Sequence, residues 1–166
     1  MTGPADDAEL TVKLLNSGSP AVMLDVEDSI ANYWENVTSG VKNMHTAMRG
    51  ELSYFDRKRN QTIAIQNPES KTVIWLRPRG LHLNQGGVFK NELCSATVFD
   101  VATMAYMIDP QAMKHPLAIY IPKSESAEEA LWWRDVFQAI EKAKGWERGY
   151  IKCMALVEAH PLAYQM

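Results

Sequence analysis

The sequence predicts an α/β fold in which short parallel strands alternate with helices. Two observations carry this prediction. Four nearly continuous apolar runs recur along the chain, as expected for strands buried on both faces of a parallel sheet. Helical patterns separate these runs, and charged residues follow each of them. In a (β/α)8 barrel the carboxyl ends of all strands open onto one mouth, so the charges favour a barrel over an open doubly wound sheet.

The four predicted strands are short and rich in Val, Ile, Leu and Ala. They cover residues 21–25 (AVMLD), 72–77 (TVIWLR), 117–122 (LAIYIP) and 151–158 (IKCMALVE). Their apolar residues run almost without interruption instead of alternating with polar ones, which indicates burial on both faces. Together with the intervening helices they amount to about four βα units.

Three segments carry helical periodicity. They are Ile30–Met48, which is the weakest because of Gly40, Ser95–Met113, which Pro110 ends or kinks, and Ser126–Lys144. The last has the clearest boundaries, since Ser126 and Glu129 form a capping box and Gly145 follows as a stop.

A small β-hairpin is predicted between the first two buried strands. Leu52–Phe55 and Thr62–Ile65 have strand composition, and the polar segment 56–61 joins them. The chain has no internal repeat, no low-complexity tract and no long linker, so residues 1–166 are expected to form one partial barrel domain.

Composition excludes several classes of function. The chain has a net charge of −3, and its basic residues are dispersed among acids, which argues against nucleic-acid binding. No run approaches the roughly 18 apolar residues of a membrane span, and residues 1–20 do not resemble a signal peptide, so the cytoplasm is expected. Cys94 and Cys153 lie in apolar contexts and are expected to be buried free thiols.

The charges after the four strands suggest a binding site. They are Asp25, Glu27 and Asp28, then Arg77 and Arg79, then Lys123 and Glu125, and finally Glu158. For any one of them the position has an ordinary explanation, because a strand end is where solvent begins. Taken together, they would face one another across a barrel mouth.

Carboxylates from different strand ends suit Mg²⁺, which prefers oxygen ligands and keeps several waters, and Glu158 is the first choice as direct ligand. A neighbouring arginine would face an anionic oxygen. His82 follows the second strand but fits a loop or core role better. His45, His115 and His160 lack metal-ligand spacing, which disfavours zinc. No phosphate-binding glycine loop and no GxSxG elbow is present.

Four sequence blocks resemble the malate synthase family, of the A type, in the family's order and with similar spacing. They are AVMLDVEDSIANYWENV, TVIWLRPRGLHL, LAIYIPKSESAEEALWWRDVF and RGYIKCMALVEAHPLAYQM. RPRG or EDS alone would be weak evidence for this resemblance, whereas several blocks in register are specific evidence. The resemblance covers the chain from about Thr2 to its last residue.

The resemblance implies a TIM barrel and the condensation of acetyl-CoA with glyoxylate and water to malate and CoA. It implies that Arg77 is catalytic and stabilises the enolate oxygen. It places Glu158 as a Mg²⁺ ligand, with Glu27 and Asp28 beside the metal and Ser29 beside acetyl-CoA. An aspartate would take the proton from the acetyl methyl group.

The chain departs from the family in what it lacks. A second metal ligand, the general-base aspartate, four barrel strands and an N-terminal helical region all fall outside the 166 residues. The resemblance therefore implies an incomplete catalytic domain that is inactive alone. Its open edges would self-associate or pair with a missing second half. The alternatives are a citrate-lyase-like CoA lyase and an inactive half-barrel that assembles with a partner chain.

Overall fold

The computed structural model describes all residues from 1 to 166. The chain forms two compact units. Unit 1 contains Met1–Arg77 and Met107–His115, and unit 2 contains Pro78–Tyr106 and Pro116–Met166. No helix in the chain is both long and apolar enough to cross a membrane.

Unit 1 alternates strands and helices and ends with a hairpin and a strand. Its elements are β1 (Thr2–Pro4), α1 (Ala8–Leu15), β2 (Ala21–Asp25), α2 (Trp34–Met48), β3 (Ser53–Asp56), β4 (Gln61–Ala64) and β5 (Val73–Arg77). β2 is parallel to both β1 and β5, whereas β3 and β4 form a separate antiparallel hairpin. The hairpin insertion is thus confirmed.

The core of unit 1 lies between the parallel strands and the two helices. Val22 and Leu24 of β2 and Leu76 of β5 are at most 1% exposed. Helix α1 begins after Asp7, whose side chain accepts the backbone N–H of Leu10. Val22 and Leu24 lie on one face of β2 and are buried, whereas Ala21 and Met23 on the other face are half-buried, so the predicted burial of both faces is met on one face only.

Gly40, which weakened the helix prediction, has a packing role. A Cβ at this position would lie 3.1 Å from the Cβ of Ala5. Asn43, one turn later, donates hydrogen bonds of 3.0 Å to the carbonyls of Ala5 and Asp6. Helix α2 therefore approaches the segment after β1 closely, which explains a glycine inside a helix. The helix begins at Trp34, four residues later than predicted.

Unit 2 contains a second hairpin and a further βαβ segment. Its elements are β6 (Asn84–Phe89), β7 (Glu92–Ser95), α3 (Ala96–Met107), β8 (Ala118–Ser124), α4 (Ala127–Lys144), β9 (Lys152–Val157) and α5 (His160–Gln165). Met107, the last residue of α3, belongs to unit 1. β6 and β7 are antiparallel, and β8 and β9 are parallel with an irregularity between Ile121 and Ser124.

Helix α4 has the predicted boundaries. Ser126 Oγ accepts the backbone N–H of Glu129, and the Glu129 carboxylate accepts the N–H of Glu125. Gly145 ends the helix in the left-handed region at φ 67°. Near that end, the buried Glu141 carboxylate accepts the backbone N–H groups of Gly149 and Ile151, which fixes the turn that leads into β9.

Pro110 was predicted to end or kink helix α3, and the helix does end shortly before it, at Met107. Pro110 cannot donate to a helical carbonyl, and Asp109 forms a turn instead.

The predicted burial of the last strand is wrong. Strand β9 is not buried: only Leu156 is partly covered, and its other five residues are exposed. Although its sequence is apolar, β9 is exposed because β8 alone pairs with it.

The two cysteines are free but not buried as expected. Cys94 is half-buried in β7, and Cys153 is exposed in β9. The apolar surroundings of the Cys153 thiol still raise its pKa to about 11. The apolar sequence around Cys153 predicted burial, but the strand that carries it is open on its outer edge.

Candidate active site

An arginine–carboxylate pair lies at the carboxyl ends of two neighbouring strands in unit 1. The parallel register places Asp25, the last residue of β2, opposite Arg77, the last residue of β5. Arg77 Nε donates to Asp25 Oδ1 over 2.8 Å, and Arg77 Nη2 donates to Oδ2. This two-point contact holds the guanidinium plane in one orientation.

The loop after β2 wraps around the same carboxylate. Ser29 Oγ donates to Asp25 Oδ2, and the backbone N–H of Glu27 donates to Oδ1 over 2.8 Å. Burial alone would raise the pKa of Asp25, but the hydrogen bonds from Arg77, Ser29 and Glu27 hold it below its usual value. Asp25 therefore stays ionised at neutral pH.

Two further carboxylates face the Arg77 guanidinium. Glu27 Oε2 lies 3.5 Å from Arg77 Nη1, and Asp28 Oδ2 lies 3.5 Å from Nη2. The Glu27 side chain is 2% exposed, whereas that of Asp28 is 61% exposed. The hydrogen bonds that Arg77 donates to Asp25 are the main cause that raises the pKa of Arg77 above its already high value. Asp25, Glu27, Asp28 and Arg77, which we call the Arg77 cluster, together have two more negative charges than positive ones.

The donor chemistry of the Arg77 cluster fits Mg²⁺. Both oxygens of Asp25 are engaged by Arg77 and Ser29, so Asp25 is poorly placed to bind a metal. Glu27 and Asp28 offer hard carboxylate oxygens, and Mg²⁺ commonly takes one or two carboxylates with waters and substrate oxygens. No three His, Cys, Asp or Glu side chains of the chain form a ready-made metal cage.

Glu158 lies in unit 2, directly after β9, and is exposed. It precedes the short helix α5, in which Leu162 is the buried residue. Its role as a metal ligand stays a prediction, as do the roles of Glu27, Asp28 and Ser29.

Arg79 was expected at the barrel mouth, but its side chain is buried within unit 2. It is 1% exposed, and its Nε and Nη2 donate to the carboxylate of Asp100 in α3, which is fully buried. Arg79 Nη1 also donates to Gln85 in β6, and Thr97 Oγ1 donates to the Arg79 carbonyl. The second arginine of RPRG is thus a structural anchor.

Lys123 and Glu125 line a cavity of about 450 Å³ in unit 2 together with Leu81, His82 and Glu129. Lys123 has a φ of 49°, unusual for a residue with a side chain, and lies within the irregularity of the β8–β9 pairing between Ile121 and Ser124. His82 is exposed, in agreement with a loop position. These residues do form a pocket, and its charged side chains are of both signs.

Two other histidines have structural roles in unit 1. His45 is buried, with Nε2 against the Met107 carbonyl at 2.5 Å and Nδ1 against Arg49 Nη1 at 2.7 Å. His115 Nε2 accepts the backbone N–H of Ile74 in β5. Both rings therefore fix the backbone of unit 1.

Sequence reasoning underrated two carboxylates. Asp25 was noted as one of several strand-end charges but was assigned no role; its position level with Arg77, at the ends of two neighbouring strands, was the available signal. Asp100 was overlooked, although a charge on the apolar side of a predicted helix indicates a buried partner.

The fold and the Arg77 cluster define a class of protein: α/β domains that place carboxylates and an arginine at the carboxyl ends of parallel strands, where barrel enzymes carry their sites. A family model described as the malate synthase TIM barrel domain matches residues 73–166, more than half of the chain. The chain belongs to the malate synthase family.

Curated relatives extend the similarity to the whole chain. The chain is 33% identical over 172 residues to the glyoxysomal malate synthase of Cucumis sativus and 34% identical over 173 residues to that of Zea mays. It is 31% identical to the malate synthase of Arabidopsis thaliana. Each alignment covers 100% of this chain but only 30% of the relative, so the chain spans about a third of their length.

Proposed function

We propose that the chain supplies part of the active site of a malate synthase, which condenses acetyl-CoA with glyoxylate and water to give malate and CoA. The observation that carries the proposal is the Arg77 cluster, which holds a guanidinium beside three carboxylates at the ends of β2 and β5. The family membership supports this reading, because the matched family is named for that enzyme.

Arg77 is the proposed catalytic residue. Its contact with Asp25 fixes the guanidinium, and its permanent charge can stabilise the oxygen that becomes negative when acetyl-CoA loses a methyl proton. Preorganisation of this kind is effective because the donors need not reorient during the reaction. Asp25 is then a positioning residue, since it acts through Arg77.

Glu27, Asp28 and Glu158 are the proposed Mg²⁺ ligands. When bound, the ion would supply a Lewis acid for the glyoxylate carbonyl. Burial of Glu27 favours a fixed ligand, whereas the exposed Asp28 can adjust to the ion or to water. Ser29 is the proposed contact to acetyl-CoA, and its bond to Asp25 leaves the oxygen lone pairs available as acceptors.

The proposed site is incomplete in this chain, which we expect to need further polypeptide. The chain covers only 30% of the length of its relatives. A half-barrel that assembles with a second polypeptide is therefore the second candidate function. A citrate-lyase-like CoA lyase is separated from the main proposal by an assay of malyl-CoA cleavage without hydrolysis.

The proposal is tested by release of free CoA from acetyl-CoA when glyoxylate and Mg²⁺ are added. The isolated chain is expected to show no turnover. A chimera in which this chain replaces the matching segment of the Cucumis sativus relative is expected to be active, since the chimera restores the remaining parts. Arg77→Lys and Glu158→Ala in that chimera should each reduce kcat at least about a hundredfold.

Matched controls separate chemistry from folding. Arg57→Lys, on the exposed hairpin, and Glu147→Ala, on the surface, should leave the chimera's kcat within about twofold. The circular dichroism of all variants should agree. A folded chimera that keeps full activity with Arg77→Lys would show that the Arg77 cluster is not the catalytic site.

The location of the chain is proposed to be cytoplasmic. Relatives from Cucumis sativus and Zea mays are described as glyoxysomal, which makes a peroxisome-type organelle the alternative. Imaging of a fluorescently tagged chain in its own cells distinguishes the two compartments.

A further inference from the structure

Strand β8 contains one residue more than the stretch of β9 that pairs with it. Between Ile121 and Ser124, β8 advances three residues. The paired stretch of β9, from Ala155 to Val157, advances two. The extra residue makes a β-bulge, which is rare between parallel strands. Bulges are common at barrel rims and beside active sites, where they redirect a side chain.

The bulge holds Lys123 in a conformation that a lysine disfavours. Its φ of 49° lies in the left-handed region. The other residues besides glycine with a positive φ are Asn60 and Asn91, which lie in the turns of the two hairpins. Asparagine tolerates this region better than lysine does. Pro122, which precedes Lys123, has no N–H for the strand ladder and therefore suits a bulge.

The ordinary explanation of the bulge is that it ends β8 before helix α4. A turn of that kind needs the left-handed backbone but no particular side chain, and glycine or asparagine would adopt it with less strain. A lysine at this position indicates that its side chain offsets the strain by a function, since strained residues cluster at binding and catalytic sites. Lys123 also lies at the carboxyl end of a parallel strand, where barrel enzymes carry their sites.

The half-buried Lys123 side chain lines the cavity of about 450 Å³ in unit 2. It is the only lysine or arginine in a lining that also contains the carboxylates of Glu125 and Glu129. The Glu129 carboxylate accepts the backbone N–H of Glu125 over 2.8 Å, so the start of helix α4 fixes this wall of the cavity.

The charges of the cavity favour a small anion with a single charge. An ammonium group binds carboxylates and phosphates through charge-assisted hydrogen bonds. Two glutamates in the same lining repel a ligand with several phosphate charges much more strongly than a ligand with one carboxylate. Of the two substrates of the proposed reaction, glyoxylate has one carboxylate, whereas acetyl-CoA has several phosphate charges.

We propose that Lys123 is a specificity-determining residue whose ammonium group binds the carboxylate of glyoxylate. This inference rests on the proposed function, because that function supplies glyoxylate as the substrate. The bulge then serves to direct the lysine into the cavity.

Steady-state kinetics of the chimera with the Cucumis sativus relative test this role. Lys123→Met removes the charge and keeps the length of the side chain, so it should raise KM for glyoxylate at least about tenfold. KM for acetyl-CoA should stay within about twofold, and Lys123→Arg should recover part of the loss. Lys90→Met, at the exposed turn of the hairpin β6–β7, is the matched control and should change neither constant.

Thermal unfolding separates this role from a structural one. Lys123→Asn should raise KM for glyoxylate as Lys123→Met does, but it should not lower the Tm, because asparagine adopts the left-handed backbone more readily. A lower Tm with an unchanged KM would show that Lys123 is structural.

A binding experiment does not depend on turnover. In calorimetric titrations of the chimera with Mg²⁺ present, glycolate, an unreactive carboxylate, should bind at least about tenfold more weakly to Lys123→Met than to the parent. Such a loss in a chimera without turnover would support the carboxylate site and reject the proposed function. An active chimera in which Lys123→Met leaves KM for glyoxylate unchanged, or raises KM for acetyl-CoA instead, would overturn the inference and leave the proposed function intact.

Discussion

Strands β2 and β9 are built from similar sequences but lie in opposite environments. Both are short, almost wholly apolar runs followed by carboxylates. β2 has a parallel strand on each side, and Leu24 in it is fully buried. β9 has one neighbour, and five of its six residues are exposed.

This comparison shows that an apolar run predicts a strand. Whether the strand is buried depends on the strands and helices beside it, which the run does not specify. The carboxylates that follow show the same contrast. Asp25 has a bidentate arginine partner because β5 ends level with β2. Glu158 remains exposed after a strand with one neighbour.

The largest effect is expected from equal truncations in the two strands. Leu24→Ala should lower the free energy of unfolding by roughly 2 to 5 kcal/mol, since it leaves a cavity in a packed core. Leu156→Ala, at a half-buried position of β9, should lower it by less than about 1 kcal/mol. Urea unfolding followed by circular dichroism measures both. Equal losses would mean that β9 is as well covered as β2.

The exposed Cys153 in β9 should react slowly with alkylating agents. Because the pKa of Cys153 is raised to about 11, its thiolate is scarce at pH 8. In a Cys94→Ser variant, alkylation by iodoacetamide should be about a hundredfold slower in the folded chain than in urea. Comparable rates would show that water reaches the Cys153 thiol freely.

The smallest effect is expected from the carboxylates after the strands. Asp25→Asn should cost about 1.5 kcal/mol of unfolding free energy at neutral pH, and Glu158→Gln less than about 0.5. Since folding lowers the pKa of Asp25, its contribution is present above the unfolded pKa of about 3.9 and is lost as pH falls through the folded pKa. Thermal unfolding from pH 7 to pH 3 should show the Asp25→Asn difference shrink. A difference independent of pH would exclude the charge as its cause.

Much of the fold follows from local sequence. The strand predicted at 21–25 is found at Ala21–Asp25, that at 72–77 at Val73–Arg77, that at 117–122 at Ala118–Ser124, and that at 151–158 at Lys152–Val157. Both ends of helix α4 were predicted at the correct residues, because its caps Ser126 and Gly145 are local sequence signals.

The remaining elements depend on contacts that local patterns do not encode. β1 is three residues long and contains Pro4, so it forms only because β2 offers a parallel edge. The hairpin β6–β7 was not predicted, because its first strand contains Gly86 and Gly87 and both strands carry polar residues on both faces. Whether short strands of this kind form depends on the strands that pair with them in the folded structure.

The sequence predicted which kinds of residue form the site, but not which of them contact one another. Carboxylates and arginines at strand ends were correctly expected to meet, and Arg77 does meet Asp25, Glu27 and Asp28. The sequence could not separate Arg77 from Arg79, two residues apart. Their difference arises from Asp100, which lies 21 residues further along and binds only the second arginine.

The Arg79–Asp100 pair also limits how the molecule could be redesigned. Asp100 is held by both the backbone N–H and the guanidinium of Arg79, and neither side chain reaches solvent. Replacing one partner would leave a buried charge and cost about 3 to 5 kcal/mol, whereas replacing both with apolar residues of similar volume is often tolerated. A mutational path to an apolar core at this position must therefore cross an unstable intermediate, so the two residues are expected to change together or not at all.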